Sequence, residues 1–138
     1  MPARKMSKVD FEALAGFRYQ LRRFLRFSEE VARNNGVTPL QYQLMLQVKG
    51  YPGRDWATVG ELAERLQAKH HGAVALVTRC EKSGLVERSV SDEDRRSVRV
   101  HLTAKGERAL KRLAQLHRDE LLAHRSAFNI PDMNELED

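Results

Sequence analysis

One cysteine in 138 residues, Cys80, leaves no partner for an internal disulfide, and the chain is expected to work in a reducing compartment. Long apolar runs are missing too. None approaches the ~20 residues that a bilayer-spanning helix needs, so no transmembrane helix is expected. Met1-Pro2-Ala3-Arg4-Lys5 is basic but no apolar stretch follows it; no secretory leader is expected, and the cytoplasm is the expected location. The chain also has no GxxxxGKS/T loop, no HExxH, no GxSxG and no cysteine cluster. Nothing in it assembles a nucleophile with its base, or a metal site, so neither enzymatic activity nor a cofactor is expected.

What is present is material for one domain, 1–138: 41% hydrophobic residues for a core and 31% charged residues for a polar surface. Lys and Arg number 24 against 19 Asp and Glu, a net charge of +5. The distribution says more than the total. Residues 126–138 hold four acids (Asp132, Glu135, Glu137, Asp138) and no base, so residues 1–125 carry 24 cations against 15 anions, net +9. Such a balance suits a polyanion, and nucleic acid is the commonest one for a compact basic domain, although a basic surface also serves solubility alone.

From Val9 to Asn35 the apolar residues Leu14, Phe17, Leu21, Phe24 and Val31 recur at steps of three and four, with Ser28 in the missing slot and Gly36 as a stop. This predicts one amphipathic helix over 9–35. At 1.5 Å per residue it spans about 40 Å, longer than so small a domain, so part of it must pack on something outside its own core. Thr38-Pro39-Leu40-Gln41 and Thr58-Val59-Gly60-Glu61 are capping boxes that open two further helices, with Gly50, Pro52 and Gly53 forming a loop between them. Another helix starts near His70, with Ala73, Val77 and Cys80 on its inner face, and closes at Ser83-Gly84. Two short helices joined by a tight turn form a helix-turn-helix.

After Gly84 the period changes to two. Leu85–Val90 and Val98–Leu102 read as strands of a hairpin whose tip, Ser91-Asp92-Glu93-Asp94-Arg95-Arg96-Ser97, is wholly polar: a wing. Thr103 caps a last long helix with Leu110, Leu113, His117, Leu121 and His124 on one stripe, ending before Asn129-Ile130-Pro131. The expected fold class is therefore mainly α with a small β-hairpin (α+β): a winged helix-turn-helix lobe over 38–102, terminal helices over 9–35 and 103–128, and an acidic tail over 129–138.

Leu62-Ala63-Glu64-Arg65-Leu66, then Leu76-Val77-Thr78-Arg79-Cys80-Glu81-Lys82-Ser83-Gly84-Leu85-Val86-Glu87-Arg88, then Asp92-Glu93-Asp94-Arg95-Arg96-Ser97-Val98-Arg99-Val100-His101-Leu102-Thr103-Ala104-Lys105-Gly106 resemble the pattern of MarR-family winged-helix transcriptional regulators. The resemblance follows element order from Phe11 to Leu122 and is most specific at the wing. It implies a homodimer built from the terminal helices, with one winged helix per subunit on half of a pseudo-palindromic operator in double-stranded DNA. It also implies repression of transcription, relieved in many members by small aromatic or phenolic effectors and in others by thiol oxidation. The chain departs from the pattern at Gly72, where Ser or Thr is usual, at Ala75, where a base is common, at Lys69, where a capping hydroxyl is frequent, and at Cys80, where leucine is usual.

With Ala73, Val77 and Cys80 inward, the N-terminal residues His70, His71 and Val74 stand nearest the base edges of a major groove; imidazole can donate to guanine and valine can pack on a thymine methyl. Arg79 and Lys82, further along, suit phosphates, and Arg88 and Arg99 on the hairpin strands are expected to add phosphate contacts. At the wing tip Arg95 and Arg96 are the candidates for a narrow minor groove, where the potential is most negative. The family pattern makes Arg96 the probe, with Asp92 or Asp94 bracing the loop. Adjacent histidines on a helix diverge by about 100°, so a metal site at His70 and His71 is not expected. Cys80 is expected to be a buried small hydrophobe, because no resolving cysteine exists in the chain and the reactive cysteine of the family's peroxide sensors lies in the first helix. His117 and His124 are expected to face a dimer interface, where they could sense pH, line a ligand pocket or simply be satisfied by neighbours. The effector pocket is not identified by the sequence; Tyr19, Tyr42 and Trp56 could line one or belong to the core. The competing reading is a winged helix that binds protein and no specific DNA; it predicts that substitutions at His70, His71 and Arg96 leave DNA affinity unchanged.

Overall fold

The computed structural model describes residues 5–91, 93 and 97–126. Five helices and three strands follow in the order α1 (Lys8–Asn34), α2 (Pro39–Lys49), β1 (Trp56–Thr58), α3 (Val59–Leu66), α4 (His70–Lys82), β2 (Val86–Val90), β3 (Val98–Leu102) and α5 (Ala104–Ala123). Both expected capping boxes form. The Thr38 hydroxyl accepts from Gln41 N–H while Gln41 Oε1 accepts from Thr38 N–H, and Thr58 and Glu61 make the same reciprocal pair. A third box, Ser7 with Asp10, starts α1.

The sheet corrects the sequence reading in one respect. It is not a hairpin alone but three antiparallel strands in the order β1-β3-β2, with Trp56 opposite His101 and Val86 opposite Leu102. β1 is three residues long, too short to show a period of its own, and its partner lies some forty residues further on.

The core gathers Leu44, Met45 and Val48 of α2, Leu62 of α3, Val77 and Cys80 of α4, Val86 and Val100 of the sheet and Leu113 of α5, each sealed from solvent. It therefore belongs chiefly to the winged lobe. α1 contributes little, burying only Asp10 and Ala32 of its 27 residues, while Val9, Phe11 and Leu14 stay exposed on it and Leu116, Leu121 and Leu122 on α5.

His117 lies elsewhere than expected. It is buried inside one chain, where α1, α2 and α5 meet. Its ring stacks on Tyr42 at 4.4 Å between centroids and meets the edges of Phe24 and Phe27. Nδ1 is 2.7 Å from the Leu113 carbonyl, an acceptor only, so Nδ1 carries the proton; Nε2, 2.8 Å from Ser28 Oγ, accepts in the neutral ring. Ser28, the polar residue in the apolar register of α1, is there to meet it. His124 is exposed and pairs with Glu120.

A tight joint links the lobe to α5. The Thr103 amide donates to the Leu85 carbonyl (3.0 Å), its hydroxyl donates to the Gly84 carbonyl (2.6 Å), and the same oxygen caps α5 by accepting from Gly106 N–H (3.0 Å). Gly84 turns the chain with φ +76°, a region that favours glycine. Gly106 faces the Leu85 backbone so closely that a Cβ would overlap the carbonyl oxygen and lie 3.0 Å from the carbonyl carbon. Gly106→Ala is therefore expected to cost about 2 kcal/mol or more of stability, read as a lower urea midpoint. A loss below about 0.5 kcal/mol would mean that this joint yields easily.

Candidate nucleic-acid interface

α3 and α4 are joined by Gln67-Ala68-Lys69. Gln67 adopts the left-handed conformation (φ +52°), and its side-chain amide donates to the Glu64 carbonyl at 2.8 Å, which closes the end of α3. α4 buries Ala73, Leu76, Val77 and Cys80. That inner stripe turns His70, His71, Val74, Arg79 and Lys82 to solvent, so the side chains expected to meet DNA from this helix share its open face. Val74, 37% exposed, is the apolar member of that open set. Lys69 provides no side-chain cap to α4, and Gly72 lies within its first turn.

A groove of about 410 Å³ runs between the start of α3 (Thr58, Val59, Gly60), the start of α4 (His70, Val74) and the strands of the wing (Arg88, Ser97, Val98). Glu61 anchors the α3 side. Burial alone would push its carboxyl up, but bonds from the Thr58 amide, the Tyr51 hydroxyl, the Thr58 hydroxyl and the Arg54 guanidinium hold its pKa down at about 2. Arg54 pairs with Glu61 and also lies on the rings of Tyr51 and Trp56. The loop ahead of β1 is thereby held to the helix-turn-helix. Arg54 and Glu61 were not singled out from the sequence; the capping box signalled Glu61 only as a cap.

The two strand arginines expected on phosphates have partners within the chain. Arg88 bonds Glu81, Thr78 and the Val74 carbonyl, all on α4. Arg99 lies 3.9 Å from the Trp56 ring centroid, and its Nε is buried with no hydrogen-bond partner among the described residues. Trp56 is thus a strand residue under two guanidiniums, and Tyr19 is exposed on α1 beside Arg23. Tyr42 is in the core. The Ser91 amide bonds the Ser97 carbonyl and closes the base of the wing loop. Asp92, Asp94, Arg95 and Arg96 lie outside the described residues.

A helix-turn-helix with an open basic face and an adjoining hairpin is the architecture that the comparisons return. Residues 35–97 match the sequence profile of the MarR family. An uncharacterized HTH-type transcriptional regulator of Bacillus cereus is 31% identical over 112 residues, which cover 81% of this chain and 69% of the relative. The chain belongs to the MarR family. A second relative, proposed as the transcriptional regulatory protein for the hcr operon of Thauera aromatica, is 31% identical over 98 residues. That match covers 71% of this chain but only 57% of the relative's length.

Among solved MarR-family structures, AbsC of Streptomyces coelicolor superposes with a TM-score of 0.77 at 22% identity, covering 97% of this chain and 90% of AbsC. A point mutant of MepR of S. aureus, bound to an oligodeoxyribonucleotide, gives 0.65 at 19% identity over 86% of this chain and 85% of MepR. NadR in complex with 4-hydroxyphenylacetate gives 0.73 at 19% identity over 94% of this chain and 87% of NadR. These likenesses establish the MarR fold, and the family's members are transcription factors rather than enzymes.

Within this MarR lobe Cys80 is fully buried on the inner face of α4. Burial pushes its thiol up to about 11, against the opposing charge of Arg79. At pH 8 such a thiol is ionised to roughly one part in a thousand, so the native protein should react with a thiol reagent about a hundred-fold more slowly than the urea-unfolded chain. Equal rates would mean that Cys80 is accessible as folded.

Proposed function

We infer that this chain is a cytoplasmic, homodimeric, sequence-specific repressor that binds a pseudo-palindromic operator in double-stranded DNA and leaves it when a small aromatic effector binds. The observation that carries the DNA reading is the division of α4 into a sealed inner stripe and an open face of His70, His71, Val74, Arg79 and Lys82, beside a groove shared with the wing. In this reading His70, His71 and Val74 meet base edges in the major groove, and Arg79 and Lys82 take phosphates. A backbone strand follows the groove between α3, α4 and the wing. Arg96, with Arg95 beside it and Asp92 or Asp94 as brace, enters the minor groove. MepR bound to an oligodeoxyribonucleotide supports this assignment at the level of fold.

Dimerisation draws support from the apolar residues left open on α1 and α5, which suit a second copy of the same helices. Sedimentation should return a dimer at micromolar concentration; a monomer would overturn this account of the terminal helices.

The DNA reading is tested by fluorescence anisotropy on duplexes spanning the DNA that flanks the protein's own gene. One site is expected to bind at least about a thousand-fold more tightly than random duplex, with affinity falling steeply with salt. Arg96→Ala should weaken that site by about ten-fold or more. Failure of every segment to exceed random duplex would reject the reading in favour of a protein-binding winged helix.

For the effector, a cavity of about 390 Å³ between α1 and α5 has Tyr19, Phe24, Phe27 and Leu121 as apolar walls, with Arg23 and the pairs Arg26–Glu30 and His124–Glu120 as polar ones. The aromatic walls suit a small aromatic ligand, with Arg23 as the cation not paired with a carboxylate of the cavity among the described residues, and NadR with 4-hydroxyphenylacetate supports the class. Thermal-shift screening with aromatic acids should raise Tm in a dose-dependent way, and the same compounds should release the operator. Stabilisation without release would remove the effector role.

A further inference from the structure

We propose that Arg88 is a positioning residue for base recognition: it fixes the angle of the reading helix α4 against the wing, and selectivity depends on this grip rather than on any contact of Arg88 with the backbone strand in the groove it lines. Val86, Arg88 and Val90 share one face of β2, and the burial of Val86 shows that this face looks toward the core and α4. From it the Arg88 guanidinium reaches across to α4 with three bonds. Nη2 donates to Thr78 Oγ1 at 2.8 Å and to the Val74 carbonyl at 3.3 Å, and Nη1 donates to Glu81 Oε1 at 3.0 Å. The other Glu81 oxygen accepts the Arg88 backbone amide at 3.1 Å, so one carboxylate holds both the strand and its side chain. Thr78 in turn donates to the Val74 carbonyl at 3.0 Å.

The three gripped residues, Val74, Thr78 and Glu81, stand at i, i+4 and i+7, a single stripe running most of the length of α4. The stripe begins at Val74, one turn after His70. Such a grip is needed here because α4 lacks the usual means of fixing its own start: Lys69 gives no side-chain cap, and Gly72 weakens the first turn. Both hydrogens of Nη2 and one of Nη1 are committed to α4, three of the five donors of the guanidinium. A lysine, with a single point of charge and no planar fork, cannot span Val74, Thr78 and Glu81 together.

The proposal rests on the DNA-binding reading and is tested with three variants of the full chain: Arg88→Ala, Arg88→Lys, and the exchange Glu81→Arg with Arg88→Glu. Anisotropy against operator and random duplex gives a discrimination ratio and a salt slope. Arg88→Ala and Arg88→Lys are each expected to lower that ratio by about ten-fold, with random-duplex affinity and the salt slope nearly unchanged. The exchange restores the ion pair but gives no donor to the Val74 carbonyl, so it should recover only a small part of the ratio; full recovery would mean that the pair alone matters and would overturn the three-point clamp. If Arg88→Ala instead weakens both duplexes alike and shrinks the salt slope by about one, Arg88 is a phosphate contact and the proposal is overturned. Wild-type discrimination by Arg88→Lys overturns it as well.

Amide exchange in the free protein separates this from a failure of the DNA reading. Amides of residues 74–81 should exchange about ten-fold faster in Arg88→Ala than in the parent, without loss of global folding. Unchanged exchange refutes the clamp whatever DNA does; faster exchange in a chain that selects no duplex would refute the DNA reading alone.

Discussion

The carbonyl of Leu85 is the point on which the rest of the molecule turns. It accepts the Thr103 amide, and it occupies the space that any side chain on residue 106 would need. Because Leu85 follows the end of α4 and precedes β2, while Thr103 and Gly106 begin α5, one peptide group registers three elements against each other. Neither the outgoing hairpin nor the last helix can slide without breaking a bond or closing a contact already at its limit. The Leu-Thr-x-x-Gly run at the end of the wing is thus a packing requirement: threonine supplies a cap for α5 and a donor for Gly84, and glycine supplies the absence of a side chain. The start of α5 and the end of α4 are thus joined through one peptide group.

What the sequence disclosed depended on how far apart the interacting residues lie. The capping boxes at Thr38 and Thr58 were legible because each is complete within four residues, and the inner face of α4 because Ala73, Val77 and Cys80 repeat on one helix. β1 was not legible, since three residues show no alternation and take their meaning only from pairing with β3. His117 was assigned to the right stripe of α5, but nothing local says that the surface opposite is Tyr42 and Ser28 of the same chain. Arg88 and Arg99 were read only as candidates for phosphate, and their partners Glu81 and Trp56 were not legible because these come near only when the strands fold back. The wing-tip residues Arg95 and Arg96 are carried by pattern alone.

The basic balance of the chain also changes meaning in the folded protein. Arg54 and Arg88 are paired with Glu61 and Glu81, and Arg54 and Arg99 both lie on Trp56. These cations brace the sheet and helices, and a side chain so engaged contributes a diffuse field more than a contact. Arg79 and Lys82 are of the opposite kind, open on the outer side of α4 together with the imidazoles of His70 and His71. Formal charge alone left a polyanion partner and simple solubility both open, and local pairing distinguishes engaged side chains from open ones.

The open stripe on α1 carries a consequence for how much of this protein a cell must hold. Free energy gained by covering Val9, Phe11 and Leu14 is realised only when another surface arrives, so it grows with the logarithm of that surface's concentration. With a second copy as that surface, the arrangement inferred above, a sparse chain would also be a weaker one, more often open and more often degraded. Dosage becomes a structural variable: below some abundance the polypeptide is not merely scarce but less folded.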